Sequence, residues 1–127
     1  EKGVTLANAA VFGKDLEIDG SKYGGITNIA GLGDLKNLKQ LTLTNLTLTS
    51  LTGLEGIANL EYLYLKNTTS SNFGALEACI NLTYLYIYLP NSIDGTTANN
   101  QVLYLGQGLK NASQLIKLQY FGISRKS

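Results

Sequence analysis

Apolar positions recur along this chain at an interval of 22 residues. With Leu38 as position 1 of a unit, Leu41, Leu43, Leu48, Leu51, Leu54 and Ile57 occupy positions 4, 6, 11, 14, 17 and 20. Leu60, Leu63 and Leu65 repeat the opening of that pattern, with Phe73, Leu76 and Cys79 behind them. Leu82, Leu85 and Ile87 open a third unit. Leu118, Phe121 and Ile123 open a fourth, approached by Leu109, Ala112 and Leu115. An earlier, irregular unit is carried by Leu16 and Ile18, followed by Ile26, Ile29, Leu32 and Leu35. The end of each LxxLxL run alternates, which predicts a short strand with one buried face. The later apolar residues stand three apart, which predicts a 3₁₀-like or tight helical return. Neither piece can bury its apolar side alone. Stacked units share one core and align their strands in a parallel sheet. Asn37, Asn59 and Asn81 recur just before position 1, where an Asn side chain is expected to bond the backbone at the turn into the strand.

The segments LKNLKQLTLTNLTLTSLTGLEGI and ANLEYLYLKN resemble the 22-residue class of leucine-rich repeats. Internalins and other bacterial cell-surface proteins use this class. The resemblance covers about residues 16–124. It implies an α/β repeat: a curved solenoid whose short parallel strands line a concave, partner-binding face, with 3₁₀ or irregular returns behind. It also implies a non-catalytic region and an extracellular or cell-surface location in bacteria. The whole chain reads as a single domain of about four to five units, with residues 1–15 as N-terminal cap.

Three places depart from that pattern. The usual Asn at position 9 is replaced by Leu46, Thr68 and Pro90, while Asn45 and Asn67 stand one residue earlier. The first unit is about three residues long through Asp19–Gly25. The step from Leu82 to Leu118 exceeds one unit, and two readings fit it. One is an insertion near 93–107 containing the loop Asp94–Asn100. The other is two short units, with Leu103 and Leu105 on a strand of their own.

Alternation puts positions 3, 5 and 7 on the solvent side of each strand. Position 3 carries Asp15, Gln40, Tyr62, Tyr84 and Tyr120. Position 5 carries Glu17, Thr42, Tyr64, Tyr86 and Gly122. Position 7 carries Asp19, Thr44, Lys66, Tyr88 and Ser124. Six of the eight tyrosines thus fall on one face. Strands about 4.8 Å apart would stack them into ladders. Exposed aromatic clusters mark recognition surfaces, and Tyr joins large area to few rotors and a polar tip. Tyr also favours strands for packing alone, so a structural role stands beside the binding role. The candidate ligand-binding residues are Tyr62, Tyr64, Tyr84, Tyr86, Tyr88, Tyr120 and Lys66. A protein is the expected partner, and a glycan the alternative.

Charge changes this picture little. Charged residues make up 15% of the chain and the net charge is +1, which gives no general pull toward nucleic acid or anionic membrane. No apolar run approaches the ~18 residues that direct membrane insertion would need. Asp15, Glu17 and Asp19 lie near one end, and Lys110, Lys117, Arg125 and Lys126 near the other, a weak dipole along the stack. The three carboxylates read as a solvated acidic edge rather than a metal or acid/base site. The chain has no histidine and one cysteine, Cys79, which aligns with the core positions Leu35 and Ile57. Nothing supplies the base that an activated Ser, Thr or Cys requires, so no enzyme and no cofactor is expected. The sequons at Asn45, Asn67, Asn81 and Asn111 follow from an Asn- and Thr-rich composition. The glycines do not form a phosphate loop.

The chain begins at Glu1 rather than methionine, which suggests a leader or upstream region removed. The strand at 118–123 looks uncapped, which suggests either continuation past Ser127 or edge-to-edge self-association there. Two functions follow: a surface adhesion or recognition module using the tyrosine face, or a spacer presenting another domain of a larger protein.

Overall fold

The computed structural model describes residues 15–110, 115 and 117–125. The expected cap over 1–15 lies outside these, except that Asp15 already belongs to the first strand. Chain order is β1 (Asp15–Asp19), a 3₁₀ turn (Ala30–Asp34), β2 (Gln40–Thr44), β3 (Thr47–Leu48), a 3₁₀ turn (Leu54–Gly56), β4 (Tyr62–Lys66) and β5 (Thr69–Ser70). A third 3₁₀ turn (Gly74–Ala78), β6 (Tyr84–Tyr88), α1 (Gly95–Gly108) and β7 (Tyr120–Ser124) follow. The fold is α/β, with β1, β2, β4, β6 and β7 forming one five-stranded, wholly parallel sheet in that order. β3 and β5 form a second, two-stranded parallel ladder.

The register is the repeat made physical. Leu41 faces Leu63, Leu63 faces Leu85, and Leu85 faces Phe121. Leu43, Leu65, Ile87 and Ile123 form the next row. Leu41, Leu43, Leu63, Leu65, Leu85 and Ile87 are buried, as are Leu51, Leu54, Ile57 and Leu60 on the returns. The three-residue spacing of the returns has its cause in the backbone. Leu54 donates to Leu51, Ile57 to Leu54 and Leu60 to Ile57, so each step of three closes a tight hydrogen bond and points another side chain inward. The same chain of bonds runs through Phe73, Leu76, Cys79 and Leu82.

The recurring asparagines act between units rather than within one. Asn59 Nδ2 donates to the Lys36 carbonyl at 3.0 Å, and Asn81 Nδ2 to the Ala58 carbonyl at 2.7 Å. Each ties its own turn to the unit before it. Cys79 is buried, and burial pushes its thiol up to about 12, so it serves as a small core residue.

The long step between Leu82 and Leu118 contains a helix. Asp94–Asn100 is not a loop, and Val102–Leu105 is not a strand. Asp94 caps α1, its carboxylate accepting from the Thr97 backbone N–H at 2.7 Å and from the Thr97 hydroxyl at 2.9 Å. Ala98, Gln101, Leu105 and Gly108 share the buried side of α1, a helical spacing, while Val102 and Leu103 face solvent. The Gln101 side-chain oxygen Oε1 accepts the Ser70 backbone N–H at 2.8 Å, which pins the helix to β5. Tyr104 lies on α1, apart from the sheet that carries the other tyrosine candidates.

At β7 the core layer is uncovered among the described residues. Phe121 is 45% and Ile123 39% exposed, although their partners Leu85 and Ile87 are buried. The N–H and C=O of even-numbered β7 residues serve β6, as in the bonds of Tyr120 N–H to Thr83 and of Leu89 N–H to the Ser124 carbonyl.

Tight stacking of the returns depends on glycine at Gly53, whose φ is +119° and whose Cβ, if present, would stand 2.2 Å from the Ile29 carbonyl oxygen. Gly53→Ala should cost about 1–3 kcal/mol in urea unfolding. Gly24→Ala, where a Cβ meets nothing within 4 Å, should change stability by less than about 0.5 kcal/mol. Equal midpoints for the two variants would contradict this account of the stacking.

Candidate functional site

The parallel register assembles three rows on the outer sheet face. Asp15, Gln40, Tyr62, Tyr84 and Tyr120 make the first. Glu17, Thr42, Tyr64, Tyr86 and Gly122 make the second, and Asp19, Thr44, Lys66, Tyr88 and Ser124 the third. Five tyrosines form one contiguous ring cluster. Tyr62 stacks on Tyr84 with ring centres 4.1 Å apart and planes at 5°, and Tyr84 stacks on Tyr120 at 4.8 Å and 14°. Tyr64 meets Tyr86 at 5.4 Å, and Tyr86 leans toward Tyr84 and Tyr120 at 6.5 and 6.2 Å. Parallel strands hold equivalent residues one strand spacing apart, which is close to ring-stacking distance.

Gly122 shapes the cluster. A Cβ there would lie 2.8 Å from both the Tyr120 hydroxyl and Cδ1 of Tyr86, so the missing side chain is the space into which those two rings close. The Tyr86 and Ser124 hydroxyls share a hydrogen bond. Tyr62 and Tyr120 are exposed, whereas Tyr64, Tyr84, Tyr86 and Tyr88 are half-buried against their neighbours. Desolvation first, and the crowding of neighbouring phenols second, raise the pKa of Tyr84 above the ordinary value; desolvation and Tyr86 and Tyr88 do the same at Tyr64. Both remain hydrogen-bond donors throughout the neutral range. In the Tyr62–Tyr84–Tyr120 stack, both faces of the central ring are covered by its neighbours.

The third row differs from the sequence-based expectation. Thr44 is buried, not solvent-facing, and its hydroxyl has no hydrogen-bond partner. Lys66 is exposed beside it. Tyr88 takes no part in the ring contacts found among the described residues. Asp19 is not simply part of an acidic edge. Its Oδ1 accepts from Ser21 N–H at 2.9 Å, Ser21 Oγ at 2.7 Å and Asn45 Nδ2 at 2.9 Å. Asn67 Nδ2 in turn donates to Asn45 Oδ1 at 2.7 Å. Asn45 and Asn67 both adopt positive φ, 59° and 51°, the conformation that Asn tolerates best among non-glycine residues. Asn45 and Asn67 therefore form a ladder across one 22-residue step, and Thr68 follows Asn67 at a buried position. The Thr68 hydroxyl donates to the Leu43 carbonyl and accepts the Leu46 N–H.

An open cleft of about 350 Å³ lies between Asn45 and Asn67 on one side and Ser92, Asp94 and Thr97 on the other. Asp94 is committed there to the helix cap, whose hydrogen bonds to Thr97 lower its pKa. Among the described residues, no group of three His, Cys, Asp or Glu is placed to hold a metal, and no helix is long and apolar enough to cross a membrane. Sequence spacing pointed to the tyrosine face but not to the Gly122 recess, the Tyr86–Ser124 pair or the burial of Thr44. Only the side-chain geometry reveals these.

Searches against protein-family models, curated proteins and solved structures found no match for this chain.

The ladder makes a pH prediction. Hydrogen bonds from Ser21 and Asn45 hold Asp19 at about 2, against 3.8 ordinarily. A lowered folded-state pKa contributes stability that is present above about 3.8 and lost as pH falls through about 2. Wild type should exceed Asp19→Asn in urea midpoint at pH 5, and the gap should narrow by pH 2.5. An unchanged gap would mean the carboxylate charge is irrelevant to this corner.

Proposed function

We propose that this chain is a leucine-rich-repeat solenoid whose tyrosine face binds a macromolecular partner, as part of an extracellular or surface-exposed bacterial recognition protein. The 22-residue register, the parallel sheet and the 3₁₀ returns support the repeat reading. The observation that carries the binding reading is the five-ring cluster, pre-ordered on a solvent-facing sheet surface. Ordered aromatic rings lose little entropy on binding and give large contact areas. The edges and hydroxyls they present suit the polar and apolar mix of a protein surface. A glycan, which docks on ring faces, would find both faces of Tyr84 and one face each of Tyr62 and Tyr120 covered by stacking. The non-catalytic reading rests on the missing histidine and the absence of an activating base beside any nucleophile, both sequence arguments. The competing role, a spacer that presents another domain, has no use for an ordered tyrosine cluster.

A paired pull-down from host-cell and matrix extracts tests this. One bait is the wild-type chain, and the other carries Tyr64→Ala, Tyr86→Ala and Tyr88→Ala, with its fold checked by circular dichroism. A partner retained by the first and lost by the second is the expected result. Equal capture by both, or by neither, would favour the spacer.

A further inference from the structure

Among the described residues, the end of the stack at β7 exposes apolar groups that the earlier units cover. Phe121 and Ile123 stand in the core rows yet are 45% and 39% exposed, whereas Leu85 and Ile87 beside them are buried. The described returns end there too. Each 3₁₀ turn packs on the next, and α1 packs on the third. The buried side of α1 rests on that turn, with Gly108 against Phe73, and Leu103 on its opposite side is 55% exposed. The backbone of β7 is equally open. Its even-numbered residues bond β6, so the N–H and C=O groups of Phe121 and Ile123 point away from the sheet. An edge of this kind is a template for another strand. The opposite edge of the sheet differs. At β1 the inward Leu16 and Ile18 are only 6% and 4% exposed, so no apolar layer is left there to meet β7 of a copy arriving head to tail.

We propose that β7 pairs with β7 of a second copy, antiparallel, about a two-fold axis through Gly122. A closed dimer built from one edge uses the same strand twice. What selects a copy is the strand's own sequence, Tyr-Phe-Gly-Ile-Ser, which complements itself when reversed. With Gly122 opposite Gly122, Phe121 of each copy lies opposite Ile123 of the other on the core side. These are the residues whose N–H and C=O groups point outward, so each of the two pairs exchanges both bonds. The half-exposed Ile123 side chain gains the Phe121 ring as its neighbour. On the outer face Tyr120 lies opposite Ser124, a large side chain against a small one, and the dyad carries no side chain. The other centres that match the outward groups fit less well. A dyad at Ile123 sets Arg125 against Phe121, and one at Phe121 leaves Ile123 against Gln119. At the Gly122 centre Arg125 stands opposite Gln119 and is already bonded to the Ile93 carbonyl, so no charge meets its like. The two five-stranded sheets become one, and the tyrosine rows of both copies meet across the dyad, whether or not that face binds a partner. A pair of five-residue strands is small against the ~1,200–2,000 Å² that stable interfaces bury, so a weak dimer is expected.

Sedimentation velocity over a concentration series tests this on the 127-residue chain. Wild type should pass from monomer to dimer and stop there. Phe121→Pro removes one outward N–H and none of the bonds to β6, a change that an edge strand tolerates. It should weaken dimerisation by about tenfold or more, with circular dichroism showing the fold kept. Ile123→Lys, which places a charge on the open core row and leaves the backbone alone, should act in the same direction. Tyr23→Ala, at an exposed aromatic far from this edge in the chain, should dimerise as wild type does. In a mixture of isotope-labelled and unlabelled chains, filtered nuclear Overhauser contacts should connect the Phe121 ring of one copy to the Ile123 methyls of the other. A chain that stays monomeric at the highest concentration, growth beyond the dimer, or a dimer indifferent to both edge substitutions would overturn the proposal.

Discussion

No unit of this chain can bury its leucines by itself, and stacking in strict 22-residue register is the constraint on which the rest depends. Each strand contributes two inward side chains and each return three or four, too few for a closed core. Placed in register, Leu41, Leu63 and Leu85 become one column and Leu43, Leu65 and Ile87 another, and the interior becomes continuous. The polar parts obey the same step. Asn59 and Asn81 reach back to carbonyls of the previous unit, and Asn67 reaches back to Asn45. A slip of one residue would turn each leucine row outward and the tyrosines into the core, so the apolar pattern fixes the register firmly.

The outer face inherits its order from that core. Rings on neighbouring strands stack because the buried leucines beneath them are aligned, and not because the tyrosines find one another. The cluster then gains local fitting from Gly122, which leaves room for Tyr86 and Tyr120, and from the Ser124 hydroxyl bonded to Tyr86. Along the sheet the face changes character in steps: carboxylates on β1, small polar groups on β2, phenols on β4, β6 and β7. Such a gradient distinguishes one end of the surface from the other.

The strands, their faces and the 3₁₀ returns were legible in the sequence because each rests on a simple period, two for strands and three for the returns. All five strands of the sheet occupy the positions that LxxLxL predicts, Asp15–Asp19 included. The helix Gly95–Gly108 was not legible. Its Gly, Thr and Asn content reads as loop, and its buried set of Ala98, Gln101, Leu105 and Gly108 is too weakly apolar to announce a helical face. Its start does carry a signal in Asp94, whose capping bonds to Thr97 outweigh the poor propensity that follows. Burial of Thr44 escaped the alternation rule because that rule gives the side of the sheet a residue faces and not what covers it at the strand end. Within the Asp19–Asn45–Asn67 ladder the Thr68 hydroxyl, next to Asn67, bonds the Leu43 carbonyl and the Leu46 N–H.

The central claim is that residues 22 apart lie directly over one another, and ring-to-ring nuclear Overhauser contacts read this most directly. The account predicts strong contacts between the ring protons of Tyr62 and Tyr84 and between those of Tyr84 and Tyr120, with Tyr64 touching Tyr86. Rings of Tyr62 or Tyr84 in contact instead with Leu63, Leu65 or Leu85 methyls across the sheet would mean a register displaced by one residue, and would contradict both the shared core and the tyrosine face built upon it.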